Sequence, residues 1–360
     1  MNRIHKILTP LILGSGAVSL VRESSWRRNR LAILCYHSFS SSDEHEWDGS
    51  LFMTPSALEQ RFRFLRDNRY QVLSLTEGLT RLQAGTLPER SVVLTFDDGT
   101  RDFANIVVPL LEKYGFPGTV YLSTWYCGQA RPVFQGFTKY LLWKGRAAYQ
   151  GGPLWQLPGP FELGTPDGRH RAVEQFRAAL AEQGLSLEQR DEMQAVLASQ
   201  LGVDYQWARD TTNFIIMPPE QVAAISRHPL VSVELHTHRH RTPLDEQLFA
   251  REIGENRRLI EEMTGVTPRH FCYPSGVFDE AFLPWLRQLG VVSATTGEAG
   301  LASHSSEPLL LPRIVDTSFL SSDRFAIWIS GVGHFTRRRE RMGQRAQPPA
   351  PAPELARARE

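Results

Sequence analysis

Residues 91–99 read SVVLTFDDG, and this stretch carries most of what the sequence predicts. Its first six residues are typical of a fully buried strand, and two neighbouring carboxylates, Asp97 and Asp98, follow them. Like charges this close resist joint ionisation, and a metal ion or a proton shared with a substrate would relieve that cost. Because successive side chains of a strand face opposite sides, the two carboxylates are predicted to have different roles. The alternative is an ordinary turn, since Asp-Asp-Gly is common turn chemistry.

A second polar cluster, HTHRH at residues 236–240, follows another predicted strand at residues 231–235. One carboxylate together with His236 and His240 would make a three-ligand site with room for water, the general form of a catalytic metal centre. In an extended strand these two histidines would lie about 13 Å apart, so the chain must turn after Leu235 if both bind one ion. His238 would then point elsewhere. A solvated loop is the alternative for this cluster.

The elements around these motifs predict an α/β fold. Buried strands alternate with amphipathic helices, and this order favours a parallel sheet. The pattern lapses over about 127–215, where Gly/Pro clusters and helical stretches indicate an insertion. The reactive groups of a parallel sheet lie at the carboxyl ends of its strands, which is where Asp97 and Asp98 stand. The predicted strands are residues 31–36, 92–98, 119–122, 231–235, 271–273, 291–292 and 309–311.

The composition is that of an ordinary globular protein. The 360 residues include 40 basic and 39 acidic side chains, for a formal net charge of +1. This balance offers no reason to expect a nucleic-acid partner. Of the three cysteines, Cys35 and Cys272 lie in apolar runs, which predicts buried free thiols rather than a disulfide. Such thiols fit a reducing compartment.

Three stretches resemble the motifs of a known family. TFDDG at residues 95–99 and HTHRH at residues 236–240 resemble the first two motifs of the polysaccharide deacetylases, the NodB-homology carbohydrate esterases, and FCYPSG at residues 271–276 resembles the third. The resemblance spans roughly residues 31–330. It implies a distorted, incomplete parallel (β/α) barrel with a part-helical insertion. It also implies an N-acetylated glycan as the substrate.

The same resemblance implies the roles of the site residues. Asp97 would be the catalytic base, and Asp98, His236 and His240 would bind a divalent metal ion, with zinc as the first choice. The opening LCYHS at residues 34–38 resembles the biofilm poly-N-acetylglucosamine deacetylases, in which an N-terminal histidine replaces a late one. This makes His37 a candidate proton donor to the leaving group, although a lone histidine after a strand is usually structural.

Further candidates come from the third motif and the end of the domain. Cys272 stands near the position where the family commonly carries an arginine, so no arginine role transfers there. The backbone N–H of Ser275 is a candidate for binding the oxyanion. Tyr273 and Trp125 are candidates for stacking on sugar rings, with a place in the core as the alternative. Arg313 is a candidate for binding at the site or positioning the base, with a surface arginine as the alternative.

The reaction implied is hydrolysis of an acetamide, in exopolysaccharide or cell-envelope polysaccharide metabolism. The metal would polarise the carbonyl and acidify a water molecule, Asp97 would accept the proton and His37 would protonate the departing amine. Two alternatives remain at this stage. One is an iron oxygenase with a two-histidine, one-carboxylate site, which does not require Asp97. The other is a non-catalytic saccharide-binding module on the same fold.

The two ends of the chain are predicted to lie outside the catalytic domain. Residues 1–30 combine basic residues with an uncharged run at residues 7–21, which is shorter than the roughly 20 residues of a spanning helix. We predict a membrane-surface segment and a cytoplasmic or inner-membrane location, with a cleaved signal and export as the alternative. Residues 337–360 are rich in Arg, Pro and Ala, which predicts a disordered tail.

Overall fold

The computed structural model describes residues 16–336 of the protein. The predicted tail at residues 337–360 and the first half of the predicted N-terminal segment lie outside the described residues. Over residues 16–336, no helix combines the length and the apolar character needed to cross a membrane.

The strands occupy the positions at which the sequence turns apolar. Most of them are short and fully buried, as expected of parallel strands covered on both faces. Over the described residues, the strands are β1 (Arg30–Tyr36), β2 (Ser38–Phe39), β3 (Phe52–Met53), β4 (Gln71–Leu73), β5 (Ser91–Phe96), β6 (Gly118–Leu122), β7 (Val231–Leu235), β8 (His270–Cys272), β9 (Ser293–Ala299), β10 (Ala302–Ser303) and β11 (Leu311–Val315).

Seven parallel strands close into a barrel. The order around the ring is β1, β5, β6, β7, β8, β9 and β11, and β11 pairs with β1 to complete it. A regular (β/α) barrel has eight strands, so the predicted incomplete barrel is confirmed. The register shifts between Leu311 and Arg313, where β11 pairs with β9, which distorts the ring locally. Outside it, β4 extends β5 in parallel and β10 pairs with β1 in the antiparallel sense.

The helices cover the outer face of the barrel and build the insertion. A π-helical stretch, Phe103–Val107, leads directly into one of them. In the part of the chain that is described, the α-helices are α1 (Ala17–Glu23), α2 (Ser25–Arg28), α3 (Glu44–Trp47), α4 (Pro55–Asp67), α5 (Leu75–Ala84), α6 (Val108–Tyr114), α7 (Phe134–Lys144), α8 (Pro166–Gln183), α9 (Leu187–Gln200), α10 (Tyr205–Thr211), α11 (Pro219–Ser226), α12 (Glu246–Thr264), α13 (Phe282–Gln288), α14 (Ser322–Ser330) and α15 (Val332–Thr336).

Two of the predicted strands were placed a few residues too early. The apolar pair Val291 and Val292 precedes β9, and Val292 is 41% exposed. Leu309 is buried in the barrel core, but it belongs to the loop that enters β11. Apolar character marks burial in both cases. It does not distinguish a strand from the loop that leads into it.

The insertion forms a helical unit with its own apolar core. Helices α7 to α10 pack around a cluster that includes Phe137, Phe176 and Leu197. A loop of the barrel rim joins this cluster through Trp47 of α3 and through Phe52. Polar contacts reinforce the junction, since the Tyr140 hydroxyl donates to Asp43 Oδ1 at 2.6 Å. The insertion therefore stands over one side of the barrel mouth.

The N-terminal helices pack against the end of the domain. Arg27 in α2 is fully buried and donates hydrogen bonds to the carbonyl oxygens of Arg30, Ser91 and Ile329. Burial lowers the pKa of this guanidinium to about 10. The predicted boundary at residue 31 therefore falls inside packed structure, and at least one arginine of the basic segment faces the protein interior.

Candidate active site

The candidate site forms where strands end at the carboxyl rim of the barrel. Asp97 and Asp98 directly follow β5, and His236 directly follows β7. Asp98 has φ 70°, and Thr237 and His240 have φ 64° and 53°. Positive φ is uncommon for residues other than glycine and is concentrated at functional sites. These turns take Asp98 out of the strand and coil the chain so that His236 and His240 face the same point.

Asp98, His236 and His240 form a cluster with metal-ligand geometry. Asp98 Oδ1 lies 3.2 Å from His236 Nε2 and 3.1 Å from His240 Nε2. The three donor atoms all lie within 4.8 Å of one another. With bonds of about 2.0 Å, two nitrogen or oxygen ligands of a tetrahedral ion lie about 3.3 Å apart. The cluster therefore fits a divalent ion and leaves positions open for water or substrate.

The surroundings prepare these groups for a cation. His236 Nδ1 donates to the carbonyl oxygen of Cys272 at 2.8 Å, which orients the ring so that Nε2 faces Asp98. Burial raises the pKa of Asp98, but hydrogen bonds from His236 and His240 outweigh this effect and hold it well below its ordinary value. Burial lowers the pKa of His240, and the contact with Asp98 more than reverses that shift. The carboxylate is ionised, as a metal ligand must be.

Asp97 is paired with Arg313 on the inner side of the rim. Asp97 is 4% exposed, and its two carboxylate oxygens accept hydrogen bonds from Arg313 Nη1 and Nη2 at 2.7 and 2.8 Å. Burial would raise the pKa of Asp97, but the guanidinium holds it well below its ordinary value. Arg313 is 2% exposed, so reading it as a surface arginine is wrong. Because both of its terminal nitrogens bind Asp97, its contact is with the proposed base, not with an oxyanion.

Two thiols and a histidine complete the surroundings of Asp97. Cys35 Sγ and Cys272 Sγ lie 3.5 and 3.4 Å from Asp97 Oδ2, and both cysteines are free and buried, as predicted. His37 Nε2 lies 3.9 Å from the same oxygen. The ring of His37 is 23% exposed, and its Nδ1 has no hydrogen-bond partner within the described part of the chain. The predicted acid and base are therefore neighbours.

A cavity of about 500 Å³ connects these groups. Asp97, Asp98, His236, His240 and His37 line its floor. Ser275, with φ 56°, borders it at the turn after β8. The opposite wall belongs to the insertion and the loop beneath it, through Trp47, Leu51, Gln135 and Lys139. The insertion thus shapes the space in which a substrate would lie.

One predicted site residue does not reach the cavity. The side chain of Tyr273 is fully buried, and its ring packs against Phe271, Phe278 and Phe282. Its hydroxyl donates to the carbonyl oxygen of Leu309 at 3.0 Å. The hypothesis that Tyr273 stacks on a sugar ring is therefore wrong, because the ring belongs to the barrel core. Trp125 is 36% exposed and contacts His238 and Arg239.

Sequence reasoning missed two polar residues of α12 that support the site. Asn256 Oδ1 accepts the backbone N–H of His236 at 2.9 Å, and its amide donates to Leu122 O and Thr124 Oγ1. Glu252 accepts the backbone N–H of Arg239 at 2.7 Å. Both side chains are buried on the apolar face of an amphipathic helix. The signal that could have identified them is a polar residue at a position that the helical period assigns to the buried face.

The family model for polysaccharide deacetylases matches residues 84–143 and 194–294. Over these two segments the chain is similar to the polysaccharide deacetylases. The two matched segments contain the DDG motif and the histidine cluster. Residues 144–193, which separate the two matched segments, fall inside the insertion.

Individual proteins show the same similarity. The chain is 35% identical over 100 residues to the poly-beta-1,6-N-acetyl-D-glucosamine N-deacetylase of Escherichia coli, which is 28% of this chain and 15% of that protein. The Streptococcus pyogenes deacetylase PplD superposes with a TM-score of 0.55 at 19% identity, over 83% of this chain and 98% of PplD. IcaB from Ammonifex degensii gives 0.53 at 19% identity, over 84% of this chain and 97% of IcaB. The two solved structures establish the shared fold.

Proposed function

We propose that this protein is a metal-dependent hydrolase that removes N-acetyl groups from an amino-sugar glycan. One observation carries the proposal. The cavity brings a cluster of Asp98, His236 and His240, with ligand geometry, beside a separate carboxylate, Asp97, that is kept ionised by Arg313. A hydrolase needs both features, since one activates the carbonyl and water and the other accepts a proton.

A divalent ion held by Asp98, His236 and His240 would polarise the acetyl carbonyl and acidify a water molecule. Asp97 accepts the proton of the attacking water, and Arg313 keeps the carboxylate ionised and oriented. The backbone N–H of Ser275, at the edge of the cavity, is the donor proposed for the carbonyl oxygen. His37 donates a proton to the departing nitrogen. Water and amide are consumed, and acetate and a free amine are produced.

The proposed substrate is a polymer of N-acetylated amino sugars, within exopolysaccharide or cell-envelope polysaccharide metabolism. The named activity of the Escherichia coli relative supports a β-1,6-linked N-acetylglucosamine polymer as the first to test. Because the match spans 15% of that protein, the substrate is proposed from the shared motifs only. Zinc is the proposed metal, since two imidazoles and one carboxylate are common ligands of catalytic zinc.

The test is acetate release from a β-1,6-linked N-acetylglucosamine oligomer. Metal-free protein should be inactive, and zinc should restore release. Asp97→Asn should retain the metal and lose about a thousandfold in rate, within the range for general acid–base groups. Acetate release by metal-free protein, or full activity of Asp97→Asn, would refute the proposal. Oxygen-dependent turnover that survives Asp97→Asn would favour the oxygenase, and binding of the oligomer without acetate release would favour the saccharide-binding module.

A further inference from the structure

A thiol lies beside the proposed acid and base in an arrangement that the deacetylation does not use. Cys35 Sγ, His37 Nε2 and Asp97 Oδ2 all lie within 4.8 Å of one another. The sulfur lies 3.5 Å and the imidazole nitrogen 3.9 Å from the carboxylate oxygen. Zinc bonds of about 2.3 Å to sulfur and about 2.0 Å to nitrogen or oxygen place S···O about 3.5 Å and N···O about 3.3 Å apart. A cation fits here after a small movement of the partly exposed His37 ring.

A cation in the active-site cavity can reach these three groups. Cys35, His37 and Asp97 all border the same cavity as Asp98 and His240. The other thiol, Cys272, is less suitable, because its Sγ already accepts a hydrogen bond from Arg313 Nη2 at 3.1 Å. A site built on Cys272 would also require His236, which belongs to the first cluster. When the first cluster holds an ion, the group that includes Cys35 remains available to bind a second one.

This second group should bind more weakly than the first. Asp97 already carries two hydrogen bonds from a cationic guanidinium, whereas the oxygen of Asp98 faces two imidazoles. A thiol must also release its proton to solvent when the sulfur–metal bond forms, since the thiolate is the ligand. A thiophilic ion would therefore fill the first cluster and reach the second only in excess.

We propose that Cys35, His37 and Asp97 form a second, inhibitory site for a thiophilic divalent cation such as zinc or cobalt. An ion there binds the carboxylate that accepts the water proton and the imidazole that protonates the amine, so both proton transfers stop. The inhibition rests on the proposed function, whereas binding of the ion does not.

Binding is tested by cobalt titration of the metal-free protein. The first cluster contains no thiolate, so the first equivalent should give no thiolate-to-cobalt charge-transfer absorption, and the second equivalent should. Cys35→Ser should lose this absorption. Cys272→Ser and Cys127→Ser, which remove the other two buried thiols, should keep it. Thermal unfolding of each variant shows that it is folded. No absorption in the wild-type protein, or absorption that survives Cys35→Ser or requires Cys272, would overturn the proposal.

Inhibition is tested by acetate release at rising zinc. The activity of the wild-type protein should rise with the first equivalent of zinc and be lost in excess zinc. In Cys35→Ser, the activity in excess zinc should stay close to the activity at one equivalent, so that their ratio is near unity. An equal loss in both proteins would overturn the inhibitory role. Charge-transfer absorption without acetate release at any loading would refute the deacetylase proposal and leave the second site standing. Acetate release without the absorption would refute the second site and leave the deacetylase proposal standing.

Discussion

Asp97 and Asp98 are neighbours in sequence with opposite surroundings. Asp97 is 4% exposed and bound to a permanent cation of the protein, Arg313, whereas Asp98 is 30% exposed and faces His236 and His240. The chain separates them because successive side chains diverge at a strand end and because Asp98 adopts φ 70°. Two adjacent carboxylates can thus both ionise, since each has its own cation or cation site. The kind of cation beside each carboxylate supports the two different roles proposed for them.

A third carboxyl group nearby shows what burial does without a cation. Asp102 is 1% exposed, and its Oδ2 accepts the backbone N–H of Phe39 at 2.7 Å. Its Oδ1 has no partner among the described residues. Burial raises the pKa of Asp102 to about 7. The low pKa of Asp97 at similar burial therefore depends on Arg313.

The largest effect should follow removal of the exposed member of the pair. Asp98→Ala deletes a proposed metal ligand, and the rate of acetate release should fall by at least about a thousandfold, since a catalytic metal supplies several kcal/mol to the transition state. Metal content after dialysis should fall with it. Asp67→Ala, on the exposed end of α4, is the control. Full metal content in Asp98→Ala would remove Asp98 from the ligand set.

Replacing the built-in cation should have a smaller and different effect. Arg313→Lys keeps the charge but not the two-fold hydrogen bond, and kcat should fall up to about a hundredfold, because misplacing a catalytic group by about 1 Å costs that much. Metal content and KM should hold. The acid limb of the pH–rate profile should move to higher pH, because Asp97 becomes easier to protonate.

Arg313→Met tests how much the pairing with Asp97 contributes to stability. It leaves Asp97 buried without its partner, and the free energy of unfolding should drop by about 3–5 kcal/mol. Urea denaturation at neutral pH measures this loss.

An unchanged pH–rate profile in Arg313→Lys would mean that Arg313 has only a structural role.

On the side of Asp98, the support from α12 should be worth less than a ligand. Asn256→Ala removes the acceptor for the His236 backbone N–H, and metal affinity should fall by about tenfold, at the low end of the effect of an outer partner. Gln194→Ala is a matched control, because Gln194 is a buried amide that donates within the core of the insertion. A chelator competition assay compares the two. Equal loss of affinity in both variants would indicate general destabilisation.

The last effect should be on stability and should come from Asp102, the carboxyl group without a cation. The folded-state pKa of Asp102, about 7, exceeds the ordinary value of 3.8, so its contribution to stability is complete below about pH 4 and is lost as pH rises to about 7. Relative to Asp102→Asn, the metal-free wild-type protein should therefore lose unfolding free energy over this range, on the order of 4 kcal/mol at most. Urea denaturation across the range measures the difference. Parallel curves would show that Asp102 does not titrate there.

Local pattern was sufficient for the barrel and for bringing the proposed metal ligands to one rim. Apolar runs indicated β1, β5 and β6, a strand was also predicted at β7, and polar residues directly after β5 and β7 indicated one functional rim. Parallel strands bring their carboxyl ends to one edge, so residue type and position alone placed Asp98 and His236 close together. The same patterns placed β9 and β11 too early, because apolar loops resemble strands.

The other half of the site depends on contacts that local pattern does not encode. Arg313 is 216 residues from Asp97 and meets it only because β11 closes the ring beside β1. Tyr273 lies within a functional motif, yet its ring turns into the core, and Asn256 is a polar residue on an apolar helix face. Period and spacing specify which residues can be buried. The closure of the barrel and the packing of α12 specify which atoms meet, because those contacts join distant segments whose side-chain directions are set by the whole fold.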